Sequence, residues 1–155
     1  MRNLCGHVRN AIYEQLDGRI LYNAASVPVY SSPPQAISYP CIVIGEQSWK
    51  TENYLCDSKI IEITTTIIVI TRPGVGAPAT YMQADDIMDS IIDEFEGNMF
   101  IPTDDDCPGV DYFNENDIKF VNGYIEGGNI NPVVDNDGLT IQSKLSLILK
   151  FEEDK

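Results

Sequence analysis

At 155 residues the chain suits one domain, spanning residues 1–155, and can bury roughly 70% of its unfolded surface. A composition of 43% hydrophobic and 22% charged residues argues against disorder, and no apolar run approaches the roughly 20 residues that span a bilayer, so no membrane partner is expected. The formal charge of −14 repels phosphate and argues against sequence-specific DNA binding. Such repulsion is useful where a protein surrounds DNA that must slide past, although solubility is the plainer use of the same charge.

The N-terminal MRNLCGHVRNAIYEQL is interrupted by Arg2, His7, Arg9 and Glu14, lacks the apolar core of a signal peptide, and reads as a helix of the mature chain. That helix is expected from about Asn3 to Leu16, with Leu4, Val8, Ile12 and Leu16 on an i, i+4 ladder and Gly18 placed to stop it. A short extended piece at Val27 to Tyr30 precedes the turn-rich SSPPQAISYP. Cys41 to Trp49 is then a strand, paired with the long β-branched strand Lys59 to Arg72, whose apolar positions repeat with period two.

After the RPGVGAPAT connection the period becomes helical through Ile87, Met88, Ile91, Ile92 and Phe95. This predicts a second helix from Thr80 to Glu96, capped by Thr80 and ended by Gly97. PTDDDCPGVDYFNEND reads as a long acidic loop. Strands from Asp117 to about Ile130 and from Leu139 to Phe151 close the chain through the turn DNDG, and Gly123, Gly127 and Gly128 mark a bulge or a close approach in the first of them. The class is α+β: an antiparallel sheet of about four to five strands with two helices on one face. Ile60, Ile68, Ile70 and Ile148 fall out of phase with the core series, so the second face is expected to be apolar and covered by an oligomer.

Chemistry is poorly represented, and no enzymatic activity, catalytic residue or cofactor is expected. Asp104 to Glu115 has the acids, Gly109 and Glu115 of a calcium loop, but Pro108 stands where a ligand is needed, so a solvated loop is the plainer reading and no metal is expected. His7 lacks a recognisable nucleophile or metal partner, the Asp85 and Asp89 pair reads as solvated acids, and RPGVGAP lacks the lysine and threonine of a P-loop. Cys5, Cys41, Cys56 and Cys107 have no CxxC spacing and read as reduced structural thiols. Trp49 and Tyr54 lie at the polar end of a hairpin, where they serve either as interface anchors or as packing within their own domain.

The helix VRNAIYEQLDGRI, the approach SYPCIVIG, the long strand ending in RPG, the helix ADDIMDSIIDEF and the closing strands together resemble the tail-completion or tail-terminator proteins of bacteriophages and prophages, over about residues 4 to 151. The resemblance implies a virion structural subunit, assembled in the host cytoplasm, that forms a homo-oligomeric ring at the head–tail junction. A hexamer is favoured and a twelve-fold ring is possible. Neighbouring connector and tail proteins are the implied partners, and genomic DNA passes through without specific binding. In such a ring Asp104, Asp105, Asp106 and Asp111 are the candidate lumen acids, and Trp49 and Tyr54 the candidate contacts. A neck connector or stopper ring of a short-tailed phage, and a small acidic cytoplasmic protein-binding module, are the alternatives.

Overall fold

The computed structural model describes residues 3–32, 38–52, 58–72, 82–100, 107–135 and 138–154. Helix α1 (Leu4–Leu16) buries Leu4, Val8, Ile12 and Leu16, the predicted ladder, and Gly18 beyond it takes φ +73°, a value that suits glycine. Strands β1 (Leu21–Tyr22) and β2 (Ala25–Ser26) form a two-residue hairpin of their own. The larger sheet contains β3 (Val29–Tyr30), β4 (Cys41–Glu52), β5 (Ser58–Thr71), β6 (Lys119–Asp135) and β7 (Gly138–Asp154) in the order β3-β4-β5-β7-β6. Its pairs are antiparallel except β3 with β4, which run parallel, a departure from the all-antiparallel expectation. The two long hairpins meet through β5 and β7, from Ser58 opposite Asp154 to Thr71 opposite Ile141.

Period two does in β5 and β7 what the sequence requires. Ile61, Ile63, Ile67 and Val69 share one face with Leu145, Leu147, Leu149 and Phe151, and this face holds the core with the helices. Helix α2 (Met82–Glu94) contributes Ala84, Ile87, Met88 and Ile91. Gly97 does not end it: the chain continues as a π-helical turn, Phe95–Met99, because burying both Phe95 and Met99 draws the last residues against the core. Phe100 follows and packs on bare backbone, since a Cβ at Gly123 would stand 2.6 Å from its ring. Gly127, at φ +153°, lies at one of two places where β6 carries an extra residue relative to β7.

The expected acidic loop is corrected here. Residues Pro108–Glu115 form a third helix, α3, with Pro at its first turn, where a missing N–H costs nothing, and Asp111 in the first turn. Its Phe113 is buried and sits 5.0 Å, ring centre to ring centre, from Phe151 and 5.6 Å from Phe120. Gly109 and Glu115 are therefore helical, and the calcium-loop spacing is not realised as a loop. Among the described residues all three helices lie on one side of the sheet, α1 against β4 and β5, α2 against β5 and β7, α3 against β6. None is long and apolar enough to cross a membrane.

Candidate functional site

Two cross-links fix the helical layer. Arg9 on α1 donates from Nη1 to the carbonyls of Ser31 and Ile44, and from Nη2 to that of Gly45, each at 2.6 Å. Ile44 and Gly45 sit at the bulge where Gly45 and Glu46 lie between the pairs Ile44–Ile67 and Gln47–Thr65, so the guanidinium takes up carbonyls that the interrupted ladder leaves over. Gln15, fully buried, donates from Nε2 to Glu94 Oε1 at 2.7 Å, and Arg19 Nε reaches the same oxygen at 2.5 Å.

The side of the sheet without helices is less apolar than expected. Ile60, Ile68 and Ile70 are half-buried there, whereas Ile148, facing Tyr124 across β6, is only 2% exposed. Between Ile60 and Ile68 runs a row of charges. Glu62 is 6% exposed and sits 3.3 Å from Lys50 Nζ on β4 and 3.7 Å from Lys150 Nζ on β7, its two register partners. Hydrogen bonding and the charge of Glu62 raise the Lys50 pKa above its ordinary value. Lys150 also stands 5.8 Å from the Tyr124 ring centre.

The bases are unevenly spread along the chain. From Pro73 to Ile118 the sequence contains no Lys, Arg or His, yet it carries half of the chain's 24 acidic residues. Asp85, Asp86, Asp89 and Asp93 are exposed along α2, and Asp111 and Glu115 on α3. Every lysine among the described residues lies on a strand, and the register puts Lys50, Lys119, Lys144 and Lys150 on the helix-free face together with Glu52, Glu62 and Glu152, these three glutamates all at the end away from Lys144. The base-free run is visible in the sequence, whereas the face each lysine takes follows from register.

Of the residues singled out from sequence, Trp49 is 56% exposed on the helix side of β4, opposite Ile63 and past the stretch that β3 covers. Asp111 is exposed on α3. Tyr54, Asp104, Asp105 and Asp106 lie outside the described residues. His7 Nδ1 is 2.9 Å from the Tyr112 hydroxyl, which accepts a hydrogen bond from Asn10 Nδ2 at 3.2 Å. The imidazole thus holds α1 to α3 beside a cleft of 280 Å³ bounded by Leu4, Ile118, Phe151 and Glu153. Cys5, Cys41 and Cys107 are free thiols. Burial pushes the Cys41 thiol up to about 11, far from the range of a reactive thiolate. Among the described residues no three His, Cys, Asp or Glu side chains gather as a metal set would require.

No family model and no curated protein matches the sequence. Among solved structures, a chain from the virion of a native gene transfer agent particle superposes on this one with a TM-score of 0.66 at 12% identity, covering 99% of this chain and 100% of that one. The two share a fold. The likeness runs through the whole arrangement of helices and sheet, not one half of it.

Proposed function

We propose that this protein is a non-enzymatic structural subunit of a phage-like virion, a tail terminator or tail-completion protein that forms a closed ring at the head–tail junction. The observation that carries the reading is the end-to-end fold likeness to a virion chain, with neither partner leaving a domain unmatched. The surface is consistent with it: Trp49 is exposed as an anchor would be before assembly, and acids dominate the helical layer. One repeated subunit surrounds a channel through head-to-tail contacts that close by rotation, and a hexamer is the favoured closure.

DNA is then enclosed without being gripped. Each phosphate neutralised by a fixed Lys or Arg adds salt-sensitive binding that ejection must overcome. With a Debye length of about 8 Å at physiological ionic strength, acids on a channel wall still act on a duplex running close to it. Asp111, with Asp104, Asp105 and Asp106, is assigned to that wall. Electron microscopy of the purified protein, alone and with its neck partners, tests the reading: closed rings with an open centre are expected. Monomers alone, at high concentration and with the partners present, would overturn it.

A further inference from the structure

The helix-free sheet face and the outer side of α2 are complementary in a way that specifies how one copy meets the next. Ala84, Ile87, Met88 and Ile91 bind α2 to β5 and β7, so Met82, Asp85, Asp86, Asp89 and Asp93 form a stripe turned away from the sheet. Met82 at its start is 61% exposed. On the opposite side of the same sheet, Ile60, Ile68 and Ile70 are half-buried and Lys144 stands directly across from Ile68, with no ion pair to it among the described residues.

A contact of α2 with α2 of a second copy is disfavoured, because it sets acid against acid without a single base from Pro73 to Ile118. A contact between unlike surfaces has no such fault. We infer that the α2 stripe of one copy docks on the helix-free sheet face of the next, with Met82 meeting Ile68 and Ile70 and the aspartates meeting Lys144. The two patches are different surfaces of one subunit, as a head-to-tail contact requires. This inference rests on the ring reading and adds which surfaces form its contact.

Light scattering on the full chain across a concentration series tests it. The variants are Asp89→Lys with Asp93→Lys, Lys144→Glu, and all three together, with thermal melts confirming that each folds and Lys144→Gln standing in should Lys144→Glu melt early. The α2 pair should raise the concentration at half-assembly by about tenfold or more, as should Lys144→Glu, and the triple variant should recover most of the loss. The sign is informative, since each Asp→Lys change brings the formal charge of −14 nearer zero and would aid assembly through any other contact. A wild-type protein that never assembles, alone or with its neck partners present, sinks the ring reading together with this contact. A wild-type ring that the single sets leave intact or strengthen, or that the triple variant does not recover, overturns the contact and leaves the ring.

Discussion

Gln15 Oε1 accepts the backbone N–H of Gly109 at 3.0 Å, so a side chain of α1 supplies the cap for the first turn of α3. The residue at the cap position, Cys107, makes no such bond to the turn; its Sγ contacts the Asn98 carbonyl instead. Because Gln15 also donates to Glu94, one buried amide ties α1, α2 and α3 together. Gly109 is required for the approach, since a Cβ there would lie 3.0 Å from the Ala11 carbonyl oxygen.

Gln15→Leu keeps the bulk and removes both bonds, leaving the Gly109 N–H buried without a partner. It should cost about 1 to 3 kcal/mol, read in urea unfolding. A change under about 0.5 kcal/mol would show that the amide contributes no net stabilisation.

What the sequence disclosed follows from where the information lies. β5 and β7 were readable because a long strand with one buried face must alternate, and α1 because its ladder is uninterrupted between Leu4 and Leu16. α3 was not, since Pro108 and Gly109 beside a run of aspartates read locally as loop. Its own signals are Pro at the first turn and the three-residue spacing of Val110 and Phe113, and its cap comes from another helix. The Glu62 charge row and the joining of the hairpins through β5 and β7 depend on register and strand order, which periodicity does not encode. The polar surroundings of Trp49 left packing within its own domain open, and its exposure is a finding of the structure.

The turn between β1 and β2 holds a correctable strain. Asn23 and Ala24 take φ of 50° and 63°, and both central residues of such a two-residue hairpin need positive φ. Asn tolerates this, but Ala pays roughly 1 kcal/mol for the contact between its Cβ and the carbonyl. Ala24→Gly should therefore stabilise the protein by up to about 1 kcal/mol, even though glycine loosens the unfolded chain, and so raise the melting temperature. A lowered melting temperature would mean that unfolded-state entropy outweighs the relief.

Cys41 couples stability to alkaline pH. Its thiol is buried and neutral, with a pKa raised by desolvation from the ordinary 9.0 to about 11. Between these values the unfolded chain has lost a proton that the folded chain keeps, so stability falls as pH rises from about 9 to about 11. Other groups titrate there too, and the comparison that isolates Cys41 is with Cys41→Ala. The gap in unfolding free energy between wild type and Cys41→Ala should move against the wild type across that window, measured by urea unfolding at pH 8, 9 and 10.5. A gap constant with pH would show that the thiol titrates normally in the fold.

Trp49 offers the most direct view of assembly because it is the only tryptophan in the chain. At 56% exposure on the edge of β4 it buries little in the folded subunit, so Trp49→Ala should change unfolding free energy by no more than about 0.5 to 1 kcal/mol. As an anchor between subunits or stacked rings it would contribute 2 kcal/mol or more, and the same substitution should then weaken assembly by roughly 30-fold. The wild-type protein reports on this without any mutation. An indole that leaves water on assembly shifts its fluorescence to shorter wavelength, so emission should move blue over the concentrations at which light scattering detects rings. Rings that form with unchanged emission, and that Trp49→Ala leaves intact, would place Trp49 on a free surface of the assembled particle.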